Sequence, residues 1–210
     1  EYVPGRLNYV TPHSDFSWPR GWMLSKTPDR MDMLDTMFEG MGRAVPVGQS
    51  YYDDDYLPAK YRNSLLVARW CTRQVTFYPL KPRGASFVTE EFPLINGENL
   101  ARPVGVTVGR GGRIFTTISY MAHNEGSPIY RSDLAMITWK DDPANAPFEG
   151  YDHLTASDEK LFEELKSTSW TRRRLAHAEL MRRGEKIADE AVRRFLETPT
   201  DVVEYPHLLW

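Results

Sequence analysis

The apolar residues change period once along this 210-residue chain, and that change constrains the fold more than any other feature. From about residue 45 to 140 they fall in short runs broken by turn residues, with a two-residue alternation between Arg102 and Ser119. From about Thr155 they recur at helical spacing. Side chains alternate across a strand but return to one face of a helix every three to four residues, so the two patterns predict a β region followed by an α region. The stretch "RPVGVTVGRGGRIFTTIS", Arg102 to Ser119, shows the first pattern: Val104, Val106 and Val108 alternate with small residues, and Ile114, Thr116 and Ile118 resume after the glycines. Two such runs around a Gly-rich turn predict a hairpin.

The β region reads as two successive four-strand units. The first comprises "VPVGQSYY", "SLLVARW", "RQVTFYPL" and "ASFVTEEF"; the second comprises "PVGVTVG", "RIFTTIS", "PIYRSD" and "AMITWK". Pro58, Pro82 to Gly84, Gly109 to Gly112 and Gly126 to Pro128 punctuate them. Short, evenly spaced strands without helices between them belong to sandwiches, barrels or propeller blades. Residues 1 to 44 are rich in Pro, Met and aromatics, and "TPDRMDMLDTMFEG" has no clean helical period, so this segment reads as structured loop.

In the α region, "TASDEKLFEELKS" opens with a Thr155-x-x-Asp158 capping box and sets Leu161 and Leu165 one turn apart. "SWTRRRLAHAELMRRG" puts Trp170, Leu175, Ala178 and Met181 on one half of the helical wheel, and Gly184 stops it. "EKIADEAVRRFLETP" gathers Ile187, Ala188, Ala191, Val192 and Phe195, with Asp189–Arg193 and Glu190–Arg194 as i,i+4 pairs. Two amphipathic helices joined at a glycine predict a HEAT-like antiparallel hairpin, which cannot bury its own apolar face. The expected organisation is mainly β with C-terminal α: a partial β-propeller region over 1–150, with an irregular N-terminal segment, then a helical region and apolar tail over 151–210.

Composition narrows the function. A net charge of −3 argues against bulk nucleic-acid affinity. No apolar run approaches the roughly 18 residues of a membrane span. The chain begins at Glu1 rather than Met, as a mature or partial product would. The one cysteine, Cys71, excludes an internal disulfide and a C-x-x-C-H haem attachment. With no histidine beside it in sequence, it reads as a small buried hydrophobe rather than a nucleophile.

The order of four motifs resembles the glucose/sorbosone dehydrogenase-like β-propellers, in the bacterial branch with appended haem and HEAT-repeat regions. They are "NYVTPHSDFSWP", "PVGQSYYDDDYLPAKYRNSLLVARW", "LKPRGASFVTEEF" and the hairpin from Arg102, followed by "IYR". The "STSWTRRRLAHAELMRRG" helix resembles that branch's first HEAT repeat. The resemblance implies propeller blades and, in an active member, pyrroloquinoline quinone with calcium, for which Arg102 is the cofactor-binding candidate. Several positions depart from the family pattern. Ser14 and Ser17 replace favoured glycines, Gly105 replaces an aspartate, and Gly111 replaces the aspartate of an Asp-Gly turn. Candidate calcium ligands and bases are thereby lost. Two blades also cannot close a propeller, so either upstream blades or another chain must cover the open edges.

The remaining clusters read mostly as ordinary structure. "YYDDDYLP" has D-x-D spacing that can coordinate calcium, but it lacks the other ligands of an EF-hand loop and reads as a solvated turn. The five histidines form no metal-binding pattern; His123 in "YMAHNEGSP" is the best catalytic-base candidate, and no metal site is expected. "GRGGR" joins strand to strand, so it has no helix N-terminus for an anion and reads as a tight turn. Arg172, Arg173 and Arg183 share a face that could meet acidic lipid or an acidic partner. The tail "VVEYPHLLW" offers Tyr205, Leu208, Leu209 and Trp210 to a groove.

These features converge on a non-catalytic, propeller-derived, periplasmic or otherwise extracytoplasmic subunit. It would bind or brace other protein subunits of a larger redox complex, with a membrane surface as a further partner, and needs no cofactor or nucleic acid. One alternative is the C-terminal part of a quinone-dependent sugar dehydrogenase. Another is a carbohydrate-binding propeller presenting Trp18 and Trp22.

Overall fold

The alternating runs form strands and the later runs form helices. The computed structural model describes residues 5–14, 16, 35–98, 100–121, 128–140, 152–197 and 203–210. They group into two units: the first is drawn from residues 1–51, 63–107 and 114–137, the second from 52–62, 108–113 and 138–210. The chain is mainly β, with antiparallel sheets and C-terminal helices, and the described strands close no barrel.

In the first unit, β1 (Pro46–Tyr52), β2 (Ser64–Arg69), β3 (Gln74–Pro79) and β6 (Phe92–Asn96) form one sheet in that order. The fourth strand lies later than the pattern predicts. Gly84 has φ +58, a left-handed conformation that glycine adopts without cost, and the chain folds back there. As a result β4 (Lys81–Arg83) pairs with β5 (Ser86–Val88) in a two-stranded ribbon, which removes all of "ASFVTEEF" but its last residue, Phe92, from the main sheet. Phe92 and Asn96 then pair with Phe77 and Gln74.

The second sheet has three strands rather than four: β7 (Ala101–Val108), β8 (Ile114–Met121) and β9 (Pro128–Ile137). "PIYRSD" and the start of "AMITWK" are one strand, because Ser132 and Asp133 continue the ladder opposite Ser119 and Ile118. The Asp133 carboxylate accepts from Tyr120 Oη at 2.6 Å and Arg131 at 3.1 Å, which is how a polar pair sits inside an otherwise apolar strand.

The first strand of each sheet carries the tripeptide Pro-Val-Gly, at 46–48 and 103–105. A Cβ on Gly48 would stand 3.0 Å from Gly105 Cα, so the glycine lets the backbones of β1 and β7 approach. The core of this unit joins Val67 and Tyr78 of the first sheet to Leu7, Met37, Met41 and Ala44, so these two methionines of the irregular N-terminal segment serve packing. Beneath them the buried Arg69 pairs with Glu91 and donates to the Met41 carbonyl at 2.6 Å, while Tyr78 Oη donates to Glu91 at 2.6 Å. Burial is the first cause that holds the Tyr78 hydroxyl above its usual range.

In the second unit the helices are α1 (Asp158–Glu164), α2 (Trp170–Arg183), α3 (Ala188–Glu197) and α4 (Tyr205–Leu209). The cap of α1 is Ser157, which accepts from Lys160 N at 3.2 Å, rather than the expected Thr155. Leu161, Phe162 and Leu165 pack with Ala176, Leu180 and Ile187. The buried face of α2 differs from the apolar half-wheel: Met181 is exposed, and Thr171, Arg173 and Glu179 are buried beside Ala176 and Leu180. Polar residues occupy that face because each has a partner inside the unit. Gly184 at φ +69 ends α2, as its position in the sequence implies. No residue of α3 is buried; Glu190 binds Arg194 at 2.5 Å and Arg193 at 2.6 Å, and Phe195 stacks on Tyr205 of α4 at 4.6 Å. Among the described residues, no helix is long and apolar enough to cross a membrane.

Candidate functional site

Arg102, the residue offered to a quinone, is buried on β7. Its Nη1 donates to the Trp70 carbonyl at 3.1 Å, its Nε reaches the Met121 carbonyl at 3.5 Å, and the guanidinium lies 4.4 Å from the centre of the Trp70 ring. A buried guanidinium needs such partners, and here a strand-edge carbonyl and an aromatic face supply them. Cys71, next to Trp70, is a free thiol and half-buried. His123, Trp18 and Trp22 lie outside the described residues.

The "DDD" triplet, expected as a solvated turn, is instead a bracket on the N-terminus of α2. Asp54 is 1% exposed. Its carboxylate accepts from the hydroxyls of Ser169, the residue that caps α2, and of Thr171 at 3.1 Å. Burial raises the Asp54 carboxyl above its ordinary range, and the Ser169 and Thr171 bonds oppose that rise. Asp55 accepts from Thr168 at 2.5 Å. Asp53 binds Arg173 at 3.3 Å and Arg62 at 3.5 Å, and its carbonyl accepts from Trp170 N at 2.8 Å. Three acids at the positive end of a helix are electrostatically well placed.

The "GRGGR" turn completes the bracket. Gly109 N donates to the Arg113 carbonyl at 2.8 Å, closing the tight turn the sequence implies. Gly112, at φ +69, packs so closely that a Cβ would stand 2.7 Å from Asp54 Cβ and 2.9 Å from Tyr56 Cβ. Arg113 lies 4.7 Å from the centre of the Tyr56 ring. The glycines of this turn serve packing against the acidic loop.

The three partner-binding arginines each hold an acid within the chain. Arg172 forks onto Glu164 with two 2.6 Å bonds. Burial pushes the Glu164 carboxyl up, but Arg172 and Lys160 outweigh it and hold it below its ordinary value. Arg173 donates to the Ser167 carbonyl at 2.6 Å besides binding Asp53. Arg183 binds Glu179 at 2.9 Å and also Asp158. The face is therefore a set of ion pairs rather than a stretch of unmatched positive charge.

The tail residues divide. Tyr205 stacks on Phe195, Leu208 packs on the helical core, and Leu209 and Trp210 are exposed. Between them His207 meets His177 of α2, with 3.3 Å between the two Nδ1 atoms, and its ring centre lies 6.0 Å from that of Trp170. Burial lowers the His207 imidazole below its usual 6.5, with His177 and Arg173 adding to the effect. At 3.3 Å one Nδ1 donates and the other accepts, which requires both rings to be neutral or share one proton. A groove of about 350 Å³ runs beside the pair, lined by Phe162, Leu180, Ile187, Ala191, Leu208 and Trp210 among others. It can take an apolar side chain. No local pattern in the sequence marks this pair, since its members stand 30 residues apart. Among the described residues, no group of three or more His, Cys, Asp or Glu is arranged to hold a metal.

No protein-family model matches the sequence, and no curated protein matches it. Among solved structures, the chain is similar to a Thermus thermophilus protein described as a putative oxidoreductase (glucose dehydrogenase). The identity is 18% over 55% of this chain and 31% of that one, with a TM-score of 0.44.

Proposed function

We propose that this chain is a non-catalytic, propeller-derived subunit whose open sheet joins it to other proteins of a larger assembly. The observation that carries the reading is strand β9. Among the described strands it pairs with β8 alone, and its side chains Tyr130, Leu134 and Met136 are 98%, 70% and 47% exposed. An unpaired edge with apolar side chains is a template for another chain, and soluble proteins rarely leave one uncovered. Two further observations support the reading. Arg102 is engaged by backbone carbonyls and Trp70; of the glycines that replace the family's acids, Gly105 would bring a Cβ within 2.9 Å of Thr117 Oγ1 and Gly111 has φ +66. The motif resemblance assigns this subunit, in our reading, to an extracytoplasmic, membrane-associated redox complex, with the C-terminal helices as the HEAT-like element.

Leu134→Lys tests the idea. Loss of a buried leucine contact, ~1.5–3 kcal/mol, corresponds to a roughly ten- to hundredfold weaker complex. The variant is expected to leave its assembly while its own thermal unfolding is unchanged. A wild-type chain that is monomeric in extracts, with the variant indistinguishable from it, would overturn the proposal.

The second reading, the C-terminal part of a quinone-dependent sugar dehydrogenase, is favoured by the order of the sequence motifs. The described residues do not fit its cofactors. Arg102 is engaged by the Trp70 and Met121 carbonyls, and the carboxylates of Asp53, Asp54 and Asp55, the candidate calcium ligands, are taken by Arg62, Arg173, Ser169, Thr171 and Thr168.

A further inference from the structure

We infer that His177 and His207 form a pH-sensitive clasp that holds the C-terminal helix α4 against α2. The geometry is the basis of this inference, which is independent of the β9 reading. His207 of α4 meets α2; its Nδ1 lies 3.3 Å from His177 Nδ1, and the rings meet edge to face at 5.3 Å. Both are half-buried. A shared Nδ1–H···Nδ1 contact exists only while at least one ring is unprotonated, because two imidazolium ions each present a proton there.

The surroundings sharpen the effect. From α2, Arg173 and Arg174 line the same cleft, and Arg173 lies 5.7 Å from the Trp170 ring that His207 also faces. From the α3 side come Phe195, stacked on Tyr205, and the apolar Ala191 and Val192. Glu185 stands on the groove wall after α2. At the start of α4, Glu204 faces Lys166 at 3.5 Å. Burial, His177 and Arg173 all favour the neutral His207 ring. A docked imidazole held below its ordinary 6.5 binds fewer protons than a free one. Docking is therefore complete above that value and is lost as pH falls below it.

Beyond the clasp, α4 is held by the Leu208 contact and the Tyr205–Phe195 stack, and five residues make a helix too short to persist alone. Undocking uncovers the apolar seam of Phe162, Leu165, Leu180 and Ile187. The clasp thus couples acidity to the exposure of an apolar face.

Hydrogen exchange of the full chain, corrected for the intrinsic pH dependence of exchange, tests this. Between about pH 7.5 and pH 5, protection of the amides in 205–209 is expected to fall at least several-fold. Protection of β2 and β3 should stay constant. In His177→Gln and His207→Gln, each of which keeps a hydrogen-bonding side chain without a titrating ring, the pH response should shrink to under about twofold. A wild-type tail equally protected at both values overturns the proposal, as does an undiminished pH response in both variants. The wild-type comparison decides the matter even if a variant folds poorly.

Discussion

Replacing Asp54 tests how the acidic loop and the α2 helix hold one another. Asp54→Ala removes the acceptor of two hydroxyl bonds, from Ser169 and Thr171, at a site 1% exposed. Hydrogen bonds to a buried charged group are worth ~1.5–3 kcal/mol each, and releasing the carboxylate from its desolvated site returns part of that, so the net loss is about 2–4 kcal/mol. In a chain of this size, each kcal/mol lowers the melting temperature by about 2–4 °C, so the helical signal should melt roughly 4–16 °C lower. Asp54→Asn keeps an acceptor oxygen and should lose about 1 kcal/mol. The pH dependence has a definite sign. Burial raises the folded-state pKa of Asp54 above 3.8, so its contribution is fully present below 3.8 and declines as pH rises through the folded value. The deficit of Asp54→Ala should therefore be larger near pH 3.5 than at pH 7. Circular dichroism at 222 nm during heating, at both pH values, supplies the measurement. Exposed Asp55, bonded to Thr168, provides the control through Asp55→Ala. An Asp54→Ala variant no less stable than Asp55→Ala, or one whose deficit grows with pH, would refute the reasoning.

Two other expectations follow from the same unit. Gly112→Ala places a methyl 2.7 Å from Asp54 Cβ in a backbone with φ +69, so it should destabilise by about 1–3 kcal/mol, whereas Gly84→Ala, with φ +58 but open space, should lose less in the same melting experiment. Glu179, bound by Arg182 and Arg183, titrates at about 2 instead of 4.5, so its contribution is present above 4.5 and is lost as pH falls through about 2. In acid titrations followed by circular dichroism, Glu179→Gln should flatten that part of the stability profile; an unchanged profile would show that the two arginines add nothing there.

Patterns that repeat locally are legible in the sequence, and pairings across long separations are not. Short apolar runs bounded by turns place β2 and β3, which are buried on both faces, and alternation places β7 and β8, because side chains on one face of a strand must reach the core together. Leu161 and Leu165 mark the buried side of the first helix for the same reason. The end of the first sheet departs from the pattern because Gly84 turns the chain into a separate ribbon. The last strand departs from it because Ser132 and Asp133 look like a break although the ladder continues through them. The polar face of α2 is hidden: Thr171 and Arg173 look solvent-facing until Asp54 and Asp53 are placed beside them from more than a hundred residues away. One local sign is available, the hydroxyl-rich "STSWT" at the start of that helix, where Ser169 serves as cap. The candidate sites divide in the same way. The arginines and tail residues stand out by composition, but their partners, and the meeting of His177 with His207, depend on the fold alone.

The most direct test of the subunit reading is site-specific photo-crosslinking in the cells that make the protein. A photoreactive amino acid is placed in turn at Tyr130, Leu134 and Met136 on β9, and at Leu196 on α3 as an equally exposed control. The account expects the β9 positions to crosslink to one defined protein in near-stoichiometric yield and the Leu196 position to give none. A chain that stays uncrosslinked at all three β9 positions, or one that reduces a dye from sugars when given pyrroloquinoline quinone and calcium, would contradict it.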